Sequence, residues 1–396
     1  MTLANGREYL AIPGPSVMPD RVLQAMHRGA PNIYEGALAD MVDAMVPDLK
    51  AVARTQHNAA IYICNGHGAW EAALTNVLSR GEKVLALCTG RFTHGWADVA
   101  EKLGAEAERL DFGSQGTVDE AAFAEAIAAD KDHKIKAVLV AHVDTATSIR
   151  NDIKALRDIL DKAGHPALLC VDCIASLACD VFEMDAWGVD LMVAASQKGL
   201  MTPPGLGFVF FNDRAAEARA KADMTTLYWD WTPRADPQFF YQYFGGTAPT
   251  HHLFGLREAL NMIHEEGLEN VWERHRRLSG AVWAAIEAWG QGGPLRFNVE
   301  DPGLRSHAVT ALSIGRDHGT RLRHWLAENT GVTLGIGLGM YRRDDPEGNG
   351  FFRIGHMGHL NTHMVLGALG SIEAGFSALG IDHGRGALEA AARACA

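Results

Sequence analysis

Through the first half of the chain, short apolar runs alternate with amphipathic stretches. Ala59–Cys64 is followed by Ala69–Leu78, Lys83–Cys88 by Thr93–Leu103, Lys136–Val143 by Asp152–Ala163, and then comes Ala167–Val171. Strands that read as apolar on both faces need cover on both, and a crossover helix after each strand supplies it. The pattern therefore predicts an α/β fold whose large domain is a doubly wound, mostly parallel sheet. Two further runs, Val189–Ala195 and Gly207–Phe211, flank the Gly- and Pro-rich Ser196–Leu206 and predict a hairpin at the edge or in the interior of that sheet.

After an aromatic loop, Tyr228–Phe244, a helical pattern runs from His252 to Trp289. It is too long for one ordinary globular helix, and Gly267 is the expected break, so the pair should bridge two domains. Beyond it, strands at Ala308–Ile314 and Phe351–Ile354 mix with helices at Gly319–Thr330 and Thr362–Leu379, which suits a smaller α+β C-terminal domain. A chain of 396 residues is too long for one small core. The expected division is an N-terminal arm (1–15), a large domain (16–266) and a small domain (267–396).

Charge and composition exclude several classes. A formal net charge of −12 without any Lys/Arg run argues against nucleic acid as a partner. No segment approaches the roughly 18 apolar residues of a membrane span, and no basic-then-apolar leader opens the sequence. The six scattered cysteines fall mostly in apolar runs, which suits a reducing, cytoplasmic compartment.

Four segments carry chemistry. Cys64-Asn-Gly66-His67-Gly68 turns from the first strand into a helix, where exposed amides and glycine admit a phosphate; a ligand-free tight turn explains it equally well. A dinucleotide fingerprint fails there, because Glu71 holds the third glycine position and the next strand ends at Cys88 where a ribose-binding acid belongs. Asp172 closes an apolar strand at the end where open α/β sheets bind ligands; a protonated pyridine nitrogen would suit it, and a helix cap is the plain alternative. Lys198 follows another apolar strand within Ser196-Gln-Lys-Gly-Leu-Met-Thr-Pro-Pro-Gly205, where partial desolvation lowers an amine pKa and sharpens it as a nucleophile. Arg353, in Phe351-Phe-Arg-Ile-Gly355, offers a planar fork for a substrate carboxylate, with a structural ion pair as competitor. His356, His359 and His363 are spaced loosely like metal ligands, but the intervening Gly358 and Leu360 make no clear site. Cys170 and Cys173 lack a second ligand pair, so no metal is expected.

Taken together, Gly66-His67-Gly68-Ala-Trp-Glu71, Val171-Asp172, Ser196-Gln-Lys198, Pro203-Pro-Gly205 and Arg353-Ile-Gly355 resemble the class V aminotransferases, in their alanine/serine–glyoxylate branch. The resemblance runs from Pro13-Gly-Pro15 to the final helices. It implies the fold type I of transferases that use pyridoxal 5'-phosphate, with Lys198 carrying that cofactor and Asp172 paired to its ring nitrogen. It further implies Gly66, His67 and Gln197 at the phosphate, Thr145 near the phenolic oxygen and Phe92 stacked on the ring where relatives place tryptophan. Thr247 matches a residue donated by a second subunit, which implies a homodimer with shared active sites. Phe244 stands where a phosphate-binding tyrosine is common. Tyr34-Glu35 replaces a His-Arg pair that borders the substrate cleft, so Tyr34 is expected either to touch substrate or to pack under the arm.

The expected reaction moves an amino group from a small amino acid, serine or alanine, to glyoxylate or pyruvate. One alternative is another donor, pyridoxamine or an aminophosphonate, with pyruvate as acceptor; a non-catalytic binding module is more remote. Cysteine desulfurase chemistry is disfavoured because Gly335–Met340 holds no cysteine. Arg353 is the one clear carboxylate fork, with Arg342 and Arg343 as candidates for a second, so aspartate and glutamate are expected to be poor donors.

Overall fold

The computed structural model describes residues 2–342 and 344–396. The chain opens with β1 (Tyr9–Ala11), α1 (Asp20–Met26) and α2 (Ala37–Val52) and then enters the alternating region. There β2 (Asn58–Cys64), α3 (Gly66–Val77), β3 (Lys83–Cys88), α4 (Arg91–Leu103), β4 (Glu106–Asp111), α5 (Glu120–Ala129), β5 (Ile135–Ala141), α6 (Ile153–Lys162), β6 (Leu168–Asp172), β7 (Leu191–Ala195) and β8 (Gly205–Phe211) follow one another.

Strands β2 to β8 form one sheet in the order β2-β8-β7-β6-β5-β3-β4. β3 to β7 run parallel, and β8 is antiparallel to both of its neighbours. The β7–β8 hairpin therefore lies inside the sheet, and β2 takes the edge. Successive strand residues serve opposite faces: Ile61, Leu85, Val138, Leu169 and Phe208 enter one core, while Tyr62, Val84, Leu139, Cys170 and Val209 enter the other. Helix α3 starts at Gly66, earlier than the expected Ala69, because the Asn65 side chain caps it there. Strand β4 was not expected; at the other edge its residues are exposed or half-buried, so Glu106–Asp111 shows no apolar run.

The chain continues through α7 (Asp213–Arg219), α8 (Thr232–Ala235) and the long pair α9 (Thr250–Glu266) and α10 (Leu268–Gly290). They part at Gly267, whose φ of +84° is the left-handed region that glycine enters without steric cost. β9 (Arg296–Phe297), β10 (Val309–Ser313), α11 (Gly319–Thr330), β11 (Val332–Ile336), β12 (Phe351–Gly355), α12 (Thr362–Leu379) and α13 (Ala387–Cys395) complete it. A second sheet, β1-β11-β12-β10-β9, includes β1 from the amino-terminal arm, paired parallel to β11. That sheet and α10 to α13 enclose their own core around Trp289, Phe352 and Phe376.

Candidate active site

Asp172 ends β6 and is almost fully buried. Its Oδ2 accepts from Trp70 Nε1 at 2.8 Å and its Oδ1 from the Ile174 amide at 2.7 Å. Burial pushes the carboxyl up to about 7, against the pull of those two donors. A carboxylate so placed is stabilised by a cation, and its raised pKa marks a charge held ready for one. The helix-cap alternative is met only in part: Asp172 does take an amide two residues on, but an indole from another element holds its second oxygen.

Lys198 sits in the turn after β7. Ser196 Oγ donates to the Pro203 carbonyl at 2.6 Å, Thr202 Oγ1 to the Ser196 carbonyl at 3.0 Å, and Ser16 Oγ to the Lys198 carbonyl at 2.7 Å, so the turn is fixed from three sides. Its ammonium donates to the Pro13 carbonyl. Desolvation, reinforced by the Arg353 guanidinium, lowers the amine to about 8, while Asp172 pulls the other way. A sizeable neutral fraction at physiological pH is what a nucleophilic lysine requires. The arm closes over it at Gly14, where φ is +96° and a Cβ would stand 2.5 Å from Lys198 Cδ. Only glycine fits there.

Asp144, fully buried, accepts from the amides of Phe92 (2.8 Å) and Ala146 (2.8 Å), tying the start of α4 to the loop after β5. Thr145 is thereby fixed, and its carbonyl accepts from Arg353 Nη1 at 2.8 Å. Arg353 Nε donates to the Ile336 carbonyl at 2.7 Å. The competing ion-pair reading of Arg353 finds no carboxylate in contact among the described residues; two backbone carbonyls aim the group, and its outer hydrogens stay available for an anion.

At the amino end of α3, Asn65 Oδ1 accepts from the His67 and Gly68 amides. An anion would meet the helix dipole and the Gly66 amide, which has no partner among the described residues. The His67 ring lies 4.7 Å from Trp70, and Phe92 meets Trp70 edge-on at 6.2 Å. Gln197 Oε1 is buried without a hydrogen-bond partner. A cleft of about 530 Å³ opens beside these residues, lined by His67, Phe92 and Arg91 on one side and Leu338 and Gly339 on the other.

Two expected residues are not gathered by a single chain. Thr247 is exposed on the loop before α9, and Tyr34 is 87% exposed, so packing under the arm is not its role. Phe244 is fully buried against Phe240 and Tyr243 and serves the core. Arg342 points to solvent beside Asp344, and Arg343 lies outside the described residues. His356 bonds Thr310 and the His307 carbonyl, and the described residues hold no metal-like cluster. Trp70 and Gly14 stand in the motifs quoted from the sequence but were given no role there, and Asp144 and Arg91 were not named, since each acquires its role from residues far along the chain.

Comparison with known proteins agrees with this geometry. The family model for aminotransferase class-V matches residues 9–342. The chain is 37% identical over 380 residues to the serine–glyoxylate aminotransferase of Methylorubrum extorquens, covering 93% of this chain and 90% of the relative. It is 36% identical over 387 residues to the L-aspartate–glyoxylate aminotransferase of Paracoccus denitrificans, covering 96% and 94%. Among solved structures, the ureidoglycine–glyoxylate aminotransferase of Bacillus subtilis superposes with a TM-score of 0.88 at 26% identity, covering 99% of both chains.

Proposed function

The chain belongs to the class-V aminotransferases, and from that premise we propose that it moves an amino group from serine or alanine to glyoxylate or, less readily, pyruvate, using pyridoxal 5'-phosphate joined to Lys198. The observation that carries the proposal is the pairing of a lysine lowered to about 8 with a buried carboxyl raised to about 7 at the ends of adjacent strands. The residues fit the cofactor: Asp172 lacks a cation, Gln197 Oε1 lacks a partner, and the α3 amino end offers its dipole. Bound there, pyridoxal 5'-phosphate supplies an electron sink for the bond broken at the substrate α-carbon.

The chain's own groups divide the remaining work. Asp172 would hold the proton on the ring nitrogen, with Trp70 fixing the carboxylate's direction. Phe92 would cover a ring face, Thr145 would approach the phenolic oxygen, and Gly66, His67 and Gln197 would hold the phosphate. The Lys198 amine would move the α-proton. Arg353 binds the α-carboxylate that donor and acceptor both present, so one fork serves both half-reactions. The serine–glyoxylate and aspartate–glyoxylate relatives support glyoxylate as acceptor.

The same reading assigns residues 1–15 to an arm, 16–266 to the cofactor domain and 267–396 to the small domain. It also makes the working unit a homodimer in a reducing, cytoplasmic compartment. Exposed Thr247 and Tyr34, with Leu227, Phe239 and Tyr241 bared nearby in sequence, suit a second subunit bringing Thr247 to the phosphate and Tyr34 to the substrate cleft.

A second reading has one observation in its favour. Arg91 lines the cleft beside His67 and forms no ion pair among the described residues, so it is a candidate for a distal carboxylate, as in an aspartate donor. Specificity constants for alanine, serine, aspartate and glutamate with glyoxylate and pyruvate decide. Alanine or serine with glyoxylate should lead, and Arg353→Lys should weaken every pair. Aspartate leading, with a loss specific to aspartate in Arg91→Gln, would establish the second reading and overturn the first.

A further inference from the structure

Beside the loop after β5 lies a second cavity, of about 350 Å³, that shares no lining residue with the cleft. Its walls are Val118, Ile153, Leu156 and Trp187, with Gly303 and Leu304 of the small-sheet region closing one end. His142, only 2% exposed, lines it. The His142 ring is packed by Phe182 at 5.3 Å and Trp187 at 5.8 Å, yet its Nδ1 is buried with no hydrogen-bond partner. Burying an imidazole nitrogen unpaired is unfavourable, and in native folds such a group calls for a missing partner.

The rim carries charges of both signs. Arg150 is aimed by its bond from Nη2 to the Gly303 carbonyl at 2.9 Å and forms no ion pair among the described residues. Glu120, in the first turn of α5, likewise forms none. Asp152 also lines the cavity; its Oδ1 caps α6 by accepting from Ala155, which leaves the carboxylate its charge. One cation, Arg150, and two carboxylates, Glu120 and Asp152, thus flank an apolar wall beside the His142 ring.

We infer that this cavity is a binding site for a small zwitterionic α-amino acid with a polar side chain. Its carboxylate meets Arg150, its ammonium meets Glu120 and Asp152, and its side-chain hydroxyl or amide lies against the part of the His142 ring that lines the cavity. A lone anion would leave the two carboxylates unmatched, a lone cation would leave Arg150 unmatched, and a purely apolar molecule would match neither. The position has a consequence for the active site: the His142 amide donates to the Asp172 carbonyl at 2.9 Å, and the Arg150 amide to the Leu304 carbonyl at 2.8 Å. A ligand here would touch His142, whose amide bonds the Asp172 carbonyl, and Gly303 and Leu304 before β10.

The test uses holoenzyme whose active site is first blocked with the carbonyl reagent aminooxyacetate, the block being read from its own absorbance change. Failure of the cofactor assignment then shows as an enzyme the reagent does not alter, separately from any binding result. Equilibrium dialysis with labelled L-serine should give one saturable site per subunit on the blocked enzyme. His142→Phe, which keeps the aromatic packing, and Arg150→Gln should each weaken it at least tenfold while cofactor absorbance stays unchanged. Propionate and ethylamine should not be retained. Absence of saturable L-serine binding, binding indifferent to both substitutions, or equal retention of propionate would each overturn the inference.

Discussion

Asp172 is held by one indole and one backbone amide, and its raised pKa makes a prediction with a definite sign. A carboxyl whose folded pKa lies above its unfolded value stabilises the fold when protonated and destabilises it as pH rises from about 4 through about 7. By the ordinary conversion, the ionised group in the cofactor-free protein costs at most about 4 kcal/mol above that range. Asp172→Asn should therefore raise the melting temperature of apoprotein at pH 8 and leave it nearly unchanged or lower at pH 4, since the amide cannot accept from both donors. The same substitution should slow turnover by several orders of magnitude if the carboxylate keeps the ring nitrogen protonated. An apoprotein no more stable at pH 8, together with near-normal turnover, would contradict both statements. Asp172, Lys198 and Arg353 were legible because each is a polar residue at or within an apolar strand. Trp70 and Asp144 were not, because their bonds cross 102 and 52 residues and no local spacing encodes them.

At the scale of elements, alternation revealed β2, β3, β5 and β6 with their helices, since buried parallel strands must be apolar on both faces. The β7–β8 hairpin was legible too, and Gly267 announced the break between α9 and α10. Local pattern missed β1, which is three residues long and exists only through its pairing with β11, and β4, whose edge position lets it be polar. The arm that β1 anchors leads directly to Gly14 above Lys198. Gly14→Ala would put a methyl within 2.6 Å of Lys198 Nζ in a left-handed conformation, so either the lysine or the arm must move. Cofactor loading, followed by absorbance and by borohydride reduction with peptide mapping, should fall at least tenfold. The melting temperature of apoprotein should drop by only a few degrees, because the arm and not either core absorbs the strain. Full labelling of Lys198 in this variant would show that the arm does not set the lysine's position.

For the molecule as a whole, three histidines buried neutral, one at the end of the large sheet and two around the small one, set its response to acid. His142 lies at the end of β5. His275 on α10 accepts from the Gly358 amide at 2.9 Å, and His356 after β12 bonds Thr310 at 2.8 Å. Burial lowers them to about 4, about 3 and about 4 respectively. In the unfolded chain each titrates near the ordinary value of about 6.5. Below that pH the unfolded state binds protons the folded state refuses, so stability is complete above about 6.5 and drains as pH falls toward 4. Each histidine contributes about 1.4 kcal/mol per pH unit within its window, an upper limit that water entry and local opening reduce. Asp172 in apoprotein and Asp144, whose carboxyl burial also pushes up, work in the opposite direction, but they are two groups against three. Moreover, protonating His275 at Nε2 removes the acceptor for Gly358, which loosens α10 from the segment that follows Arg353. Urea midpoints of holoenzyme should therefore fall steadily from pH 7 to pH 4.5. His275→Gln, which carries no titrating group, should start lower at pH 7 and fall with a shallower slope. A midpoint that stayed level between pH 6.5 and 5, or a slope unchanged in that variant, would place the acid sensitivity in groups other than these histidines.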